Sequence, residues 1–169
     1  MDKKILDKAI RNAIKLGDKN EVVNLIEDNP LSLYTCTPFG TWLHVAAAHG
    51  KLEIIKYLVE IGIDINIRSG TFCTNALERA ATKGHLSIVK YLISKNIVID
   101  TSEPDRNPLF AAIYGGHLDT IKFLVEHVDI SIKYSGENMK DIDAYTFAIE
   151  RGQTEVAEHL KTLLNEKNT

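Results

Sequence analysis

Five glycines recur at nearly constant intervals along the chain, and this spacing is the strongest constraint on the fold. The intervals between them are 33, 34, 32 and 36 residues in a chain of 169. A period of this length indicates a stack of repeated units, because each unit buries its apolar face only against its neighbours. The five positions are Gly17, Gly50, Gly84, Gly116 and Gly152.

A short helix is predicted after each glycine. In the first four units the positions five, eight and nine residues later are apolar, and this spacing places them on one helical face. The last unit has Lys161 at its ninth position, as expected for a terminal repeat with a single neighbour. The positions that share the pattern are Val22, Leu25, Ile26, Ile55, Leu58, Val59, Val89, Leu92, Ile93, Ile121, Leu124, Val125, Ala157 and Leu160.

A second helix, rich in small side chains, is predicted before each glycine. It contains pairs of alanines, such as Ala46 with Ala47 and Ala80 with Ala81. Alanine has the highest helix propensity, and its short side chain allows a neighbouring helix to approach closely. Each unit is therefore predicted to be two packed helices, with the glycine in the left-handed conformation where the first helix ends.

Short motifs placed at this period give the chain its resemblance to a known family. The segment 41–47 reads Thr-Trp-Leu-His-Val-Ala-Ala, Gly-His-Leu occurs at 84–86 and at 116–118, and Ile-Asp-Ile-Asn ends a turn at 63–66. These motifs resemble those of ankyrin repeats, with Trp42 in place of the usual proline. The resemblance extends from about Lys3 to Leu164, and the run 101–117 is similar to small stand-alone bacterial members of the family.

The resemblance implies an all-α solenoid of about five stacked helix-turn-helix units joined by short β-hairpin turns. The whole chain, 1–169, would form one ankyrin-repeat domain with approximate repeats 3–35, 36–69, 70–101, 102–137 and 138–165. It also implies that the concave surface, formed by the hairpin tips and the first helices, binds other proteins. His44 occupies the motif position whose histidine forms hydrogen bonds between repeats in the family.

Charge and motif content argue against other classes of function. The formal net charge of −3 lacks the broad positive field of a nucleic-acid-binding protein. The sequence contains no phosphate-binding loop, HExxH pair or GxSxG elbow, and its histidines follow the repeat instead of converging on a metal. We therefore expect a protein that is not an enzyme and that uses no cofactor or metal.

The termini and the cysteines predict where the protein is found. The first residues lack the apolar core of a secretory signal, and no stretch is apolar enough to span a membrane. Cys36 and Cys73 are too few for a disulfide framework and are expected to be reduced thiols. We expect a cytoplasmic monomer that contacts no membrane.

Residues that do not follow the repeat are the candidates for recognition, because packing already explains the periodic ones. Aromatic residues and arginine are enriched at binding hot spots. For Trp42, packing between repeats is an equal alternative. Phe39 and Phe72 are either packed at the turn tips or exposed as anchors. Arg79 and Arg106 are either partner contacts or ordinary surface charges. The candidate protein-binding residues are Phe39, Trp42, His49, Phe72, Arg79, Lys83, Asp105, Arg106, Tyr114, Tyr134 and Arg151.

The longest glycine interval places about three extra residues in the segment 128–140. Alternation at Ile130, Ile132 and Tyr134, followed by Ser135 and Gly136, predicts an extended finger with a tight turn. Insertions in repeat proteins often lie on the binding face, although a longer surface loop also costs little. Both interpretations stay open.

These observations predict a non-enzymatic module that binds a partner protein through its concave face. One hypothesis within this class is an immunity protein that covers the active site of a toxin. The alternative is a regulatory or scaffolding subunit of a larger complex.

Overall fold

The computed structural model describes residues 2–136 and 139–167, and its helices form five pairs. Within each pair the two helices pack against each other. This arrangement confirms the predicted all-α fold of helix-turn-helix units. The pairs are α1 (Lys3–Leu16) with α2 (Lys19–Glu27), α3 (Trp42–Ala48) with α4 (Leu52–Glu60), α5 (Ala76–Thr82) with α6 (Leu86–Ser94), α7 (Pro108–Gly115) with α8 (Leu118–Leu124), and α9 (Ala144–Glu150) with α10 (Thr154–Lys167).

The pairs stack so that like helices are neighbours. The first helices contact one another in the order α1, α3, α5, α7 and α9, and the second helices follow in the order α2, α4, α6, α8 and α10. The core lies between the two rows. Leu58 on α4 and Leu92 on α6 are fully buried there, whereas Lys161 on α10 is exposed, so the predicted helical faces are confirmed.

The recurring glycines are required at the turn between the two helices of a pair. Gly50 and Gly84 have φ values of 71° and 70°, which an L side chain rarely adopts. Space is also lacking, because a Cβ atom at Gly84 would lie 2.5 Å from Cγ of His117 in the next pair. In the same way His85 covers Gly50. The motif therefore couples a left-handed turn to the stacking of the next unit.

The turns that join one pair to the next take several forms. Isolated antiparallel bridges join Thr37 to Gly40 and Ser69 to Thr74. The turn 70–74 lies on the turn before it, because the backbone N–H of Thr71 donates a 3.0 Å hydrogen bond to the carbonyl oxygen of Pro38. Short 3-10 helices occupy Pro30–Tyr34 and Pro104–Arg106.

The segment predicted to form a finger contains an antiparallel hairpin. Strand β1 (Tyr134–Gly136) pairs with strand β2 (Met139–Ile142), and the tip at 137–138 lies outside the described residues. Ile130 and Tyr134 are buried. Strand pairing begins only at Tyr134, and Ile130 and Ser131 lie in a turn. None of the described helices is long and apolar enough to cross a bilayer.

Candidate protein-binding surface

Three of the histidines contact backbone carbonyls of a neighbouring unit. Nε2 of His44 lies 2.8 Å from the carbonyl oxygen of Thr74, and Nε2 of His117 lies 3.0 Å from that of Thr82. His85 makes a longer contact, 3.3 Å, with the carbonyl oxygen of Ala48. These contacts extend between repeats, as the resemblance implied for His44. No group of histidine, cysteine or acidic side chains among the described residues is arranged to hold a metal ion.

His44 is the most constrained of the three, since its side chain is fully buried. A carbonyl oxygen only accepts hydrogen bonds, so Nε2 carries the proton that is donated to Thr74. Nδ1 accepts from the backbone N–H of Thr41 at 3.3 Å and lies 2.9 Å from the Thr41 hydroxyl. Burial lowers the pKa of His44, and the positive charges of Arg79 and Arg68 lower it further, against the opposing effect of its bond to Thr74. The imidazole is therefore a neutral link within the stack.

Trp42 does not belong to the binding surface, and its prediction as a binding residue is wrong. The indole is fully buried at the start of α3. Its Nε1 donates a 2.8 Å hydrogen bond to the carbonyl oxygen of Ser32. A large aromatic side chain with a satisfied polar atom is well suited to such a packed junction. Trp42 joins the second helix pair to the 3-10 turn before it.

Tyr134 is a second correction, because its side chain is 8% exposed and packs inward. The hydroxyl donates a 2.8 Å hydrogen bond to the carbonyl oxygen of Thr101 and accepts one of 3.0 Å from Nδ2 of Asn107. Its ring meets that of Phe110 edge-on, with centroids 5.0 Å apart. The hydroxyl group and the ring of Tyr134 both make their contacts inside the molecule. Tyr134 therefore anchors β1 to the fourth helix pair.

The other candidates are exposed or half-buried, and several lie together on the exposed side of the first helices, which we call the first-helix face. A depression of about 120 Å³ on this face brings Phe39, His49 and Arg79 together with Arg11 and Lys15. The first helices of three successive pairs, α1, α3 and α5, and the turns beside them contribute to it. The short side chains of Val45 and Ala48 on α3 also line the depression, which leaves room between the longer side chains of α1 and α5.

Guanidinium groups lie over aromatic rings at three places on the first helices and their turns. Arg11 lies 5.0 Å from the ring centroid of Phe39, and Arg79 lies 5.8 Å from that of Phe72. Phe72 is 75% exposed and Phe39 59%, so both rings keep most of their surface in solvent. Cation–π contacts of this kind restrict side chains that would otherwise move freely.

The third of these places is at the other end of the stack. Arg151 lies 4.4 Å from the ring centroid of Tyr114 and 5.2 Å from that of Phe147. The Phe147 ring in turn stacks on the buried Phe110, at 4.9 Å. Tyr114 is 58% exposed. The candidates Tyr114 and Arg151, from the fourth and fifth helix pairs, are thus brought together by the fold.

Positive charge surrounds His49 at the base of this face. Burial lowers the pKa of His49, and the charges of Lys15, Lys51, His85 and Lys83 lower it further. Every neighbouring charge that acts on this imidazole is positive. The exposed end of α3 is therefore an electropositive region, to which the candidate Lys83 contributes.

Asp105 and Arg106 lie in the 3-10 turn Pro104–Arg106, and both are exposed. Nη1 of Arg106 lies 3.5 Å from Oδ2 of Asp100. Hydrogen bonds from Ser102 lower the pKa of Asp100, and the charges of Arg68 and Arg106 add to this effect. Arg106 is therefore partly engaged in a contact within the molecule.

The network continues from Asp100 into the core. Arg68 lies 3.5 Å from Asp100 and donates hydrogen bonds of 2.9 and 3.2 Å to the two carboxylate oxygens of Glu78. Burial raises the pKa of Glu78, although bonds from the Asn75 backbone and from Arg68 favour the ionised form. The chain of charges ties successive turns together, and it explains why a charged residue is accommodated inside α5.

Arg11, Lys15 and Phe147 belong to the same surface, although they are not among the predicted residues. A sequence signal for two of them exists, because Lys4, Lys8, Arg11 and Lys15 follow one another at intervals of four, three and four residues. This spacing forms a basic stripe on one side of α1. The predicted candidates all come from the second to the fifth unit, so none of them lies on α1.

A single row of stacked helix pairs, with side chains from several pairs on one open face, defines a helical-repeat solenoid. The sequence profile described as ankyrin repeats in three copies matches residues 10–105 and 77–169. The chain therefore belongs to the ankyrin-repeat family. Domains of this family are generally protein–protein interaction modules and typically have no enzymatic activity.

Proposed function

We propose that this protein binds a partner protein along the first-helix face, which is the concave face of an ankyrin-repeat solenoid. The observation that carries the proposal is the set of arginine–aromatic pairs there, from Arg11 with Phe39 to Arg151 with Tyr114. Arginine and aromatic side chains dominate the energetics of interfaces. The exposed rings contribute little to the core, so the fold does not require them.

The mechanism would be surface complementarity on a rigid support. The side chains project from helices held on both sides by neighbouring units, so little conformational entropy is lost on binding. The pairing of each guanidinium with a ring reduces that loss further. As a monomer, the chain would offer the whole face, from α1 to α9, to one partner.

Inhibition of a toxin is the finer hypothesis that we retain within this function. The protein would act as an immunity protein by covering the toxin's active site, with no chemistry of its own. A regulatory or scaffolding role in a larger complex is the alternative. The identity of the captured partner distinguishes the two, because only an inhibitor would reduce the activity of a purified toxin domain.

The experiment is an affinity capture from the lysate of the source cells, using the tagged chain and a triple variant. The variant combines Phe72→Ala, Arg106→Ala and Tyr114→Ala, all at exposed positions. We expect one stoichiometric partner with the wild type and its loss with the variant. The melting temperature should change little, because exposed side chains away from special features alter stability by about 0.5 kcal/mol or less.

A matched control replaces three exposed residues on the side of the second-helix row: Lys122→Ala on α8, Glu126→Ala in the turn that follows α8, and Lys161→Ala on α10. This variant should retain the partner. Equal retention by both variants would contradict the assignment of the first-helix face. Unfolding of the Phe72/Arg106/Tyr114 variant would instead show that these residues stabilise the stack.

A further inference from the structure

Four cationic side chains converge on the N-terminal half of the first-helix face. They are Arg11, Lys15, Arg79 and Lys83, which we call the basic cluster. Arg11, Lys15 and Arg79 line the depression over α3. Lys83 caps the end of α5 four residues after Arg79, a spacing that places the two side chains on one side of that helix. Side chains from α1 and from the end of α5 are thus gathered by the stacking of three helix pairs.

No ion pair found among residues 2–136 and 139–167 includes a side chain of the basic cluster, not even with Asp7, which lies one turn before Arg11 on α1. The ion pairs in this part of the chain join other side chains, such as Lys56 with Glu53 and Arg68 with Glu78. Nε of Arg11 and Nε of Arg79 are also shielded from solvent without a hydrogen-bond acceptor. Buried donors are nearly always paired in folded proteins, so these two guanidinium groups are incompletely satisfied.

Helix electrostatics account for only part of the cluster. A lysine near a helix C-terminus, as Lys15 is on α1 and Lys83 at the end of α5, interacts favourably with the helix dipole. Arg79 likewise lies in the last turn of α5, whereas Arg11 is more than one turn from the end of α1, where this effect has fallen off. Their contacts with Phe39 and Phe72 hold the guanidinium groups in place, but supply no counter-charge.

The four positive charges of the cluster stand in a molecule whose formal net charge is −3. The second helices together hold eight acidic and six basic residues, a formal charge of −2, whereas the first helices hold three acidic and six basic residues, a formal charge of +3. Such a separation of charge gives the two sides of the solenoid different fields. A partner with an acidic surface would be steered towards the first-helix face and away from the second-helix row.

The shape of the positive region favours a protein over a nucleic acid. A phosphate backbone is held by cations distributed along its path. Here the purely positive region ends at α5, because Glu103 and Asp105 accompany Arg106 at the next tip, and Glu150 precedes Arg151 at the end of α9. A strand that continued along the face would meet these carboxylates. A short acidic segment of a protein would occupy the cluster alone.

We infer that the basic cluster is the docking site for an acidic segment of the partner protein, whose carboxylates pair with Arg11, Lys15, Arg79 and Lys83. Arginine forms two parallel hydrogen bonds to a carboxylate, which gives directional contacts, whereas lysine supplies point charges. The apolar floor formed by Val45 and Ala48 fits the methylene groups of glutamate side chains. This inference rests on the proposed protein-binding function and specifies the chemistry of the partner.

The test uses a labelled 15-residue peptide of Glu, Asp, Ser and Gly, titrated against the full chain and followed by fluorescence anisotropy. A second peptide with Gln and Asn in place of the acids, and a single-stranded DNA of 15 nucleotides, are the comparison probes. The Lys15→Glu/Lys83→Glu variant removes two cations of the cluster. The Lys122→Glu/Lys161→Glu variant makes the same charge change in the second-helix row, at exposed positions.

We expect the acidic peptide to bind the wild type in a salt-dependent manner, and the neutral peptide not to bind. The cluster variant should weaken binding by about tenfold or more, the equivalent of about 1.4 kcal/mol, and the control by about twofold or less. In a parallel NMR titration, the acidic peptide should change the Nε–Hε chemical shifts of Arg11 and Arg79 in the wild type. These changes should be smaller in the cluster variant, in step with its weaker binding. Equal effects of the two variants, or no binding of the acidic peptide, would overturn the inference.

The DNA could bind as tightly as the acidic peptide, with the same dependence on Lys15 and Lys83. In that case the basic cluster would be a general site for polyanions, and the inference of an acidic protein segment would be wrong. The affinity capture experiment distinguishes failure of this inference from failure of the proposed function. If the Lys15→Glu/Lys83→Glu variant retains a partner that the Phe72/Arg106/Tyr114 variant loses, protein binding stands and the acidic docking site is wrong.

Discussion

The pH dependence of stability is set at the residue scale by His44. The folded protein holds this imidazole in its neutral form, because Nδ1 accepts hydrogen bonds and burial opposes charge. A histidine whose pKa is lowered on folding binds fewer protons in the folded state than in the unfolded state. The free energy of unfolding should therefore fall as the pH decreases below about 6.5, the ordinary pKa of histidine.

The prediction is checked by urea unfolding of the wild type and His44→Gln between about pH 7.5 and pH 5.5, because carboxylates that titrate in this range, such as Glu78 with its raised pKa, are common to both proteins. His44→Gln should be less stable than the wild type at pH 7.5, because contacts with Thr41 and Thr74 are altered. It should also lose less stability on acidification. His127→Gln is the control, since His127 is exposed and its backbone contact, with Phe123, lies within its own unit. A slope that is unchanged in His44→Gln would contradict the assigned protonation state.

Individual side chains show where sequence reasoning reaches its limit. The repeat motif predicted that His44 bridges two units, because that contact depends on the backbone common to every repeat. Trp42 and Tyr134 stand outside the motif, and the same sequence pattern fits an exposed anchor or a packed ring. Only the position of a distant acceptor, the carbonyl of Ser32 or of Thr101, decides between the two.

At the scale of the elements, the hairpin formed by β1 and β2 supports α7, the first helix of the fourth pair. The Tyr134 hydroxyl binds Nδ2 of Asn107, and Oδ1 of Asn107 accepts a 2.9 Å hydrogen bond from the backbone N–H of Leu109 in the first turn of α7. The inserted strand therefore orients the cap of α7. The extra residues have a role in packing, whichever side of the hairpin meets a partner.

Tyr134→Phe should lower the free energy of unfolding by about 1–3 kcal/mol, because Asn107 and the Thr101 carbonyl lose a buried partner. Tyr114→Phe is the matched control: its hydroxyl is removed from a residue that is 58% exposed, and a change within about 0.5 kcal/mol is expected. Chemical denaturation of both variants measures the difference. Similar losses for the two would mean that the hydroxyl of Tyr134 contributes nothing beyond an exposed one.

The helices were predictable from sequence to a greater extent than the turns. Glycine spacing and the period of apolar residues determine helix pairs, since both follow from local backbone geometry and burial. The turns differ from unit to unit, from isolated bridges to 3-10 helices and one hairpin. The basic cluster was partly missed for a related reason: Arg11 and Arg79 are 68 residues apart, and only the stacking of α1, α3 and α5 places them at one depression.

At the scale of the whole molecule, stability is distributed along the stack. Each unit contacts only its neighbours, so the total is a sum of units and interfaces, and the ends are held on one side only. Leu92 on α6 and Leu160 on α10 are both fully buried in the second-helix row. They offer the same substitution in an internal and in a terminal unit.

Leu92→Ala should lower the free energy of unfolding by about 2–5 kcal/mol, as large truncations in a packed core do. A loss below about 1 kcal/mol would contradict the placement of Leu92 between stacked units.

Leu160→Ala should act locally, because α10 packs mainly against two helices, α8 and α9. Hydrogen exchange should then increase in α9 and α10 while α3 to α6 stay protected. Uniform acceleration of exchange throughout the chain by Leu160→Ala would show that the five helix pairs unfold as one cooperative unit, and that the terminal pair is as strongly coupled as the internal ones.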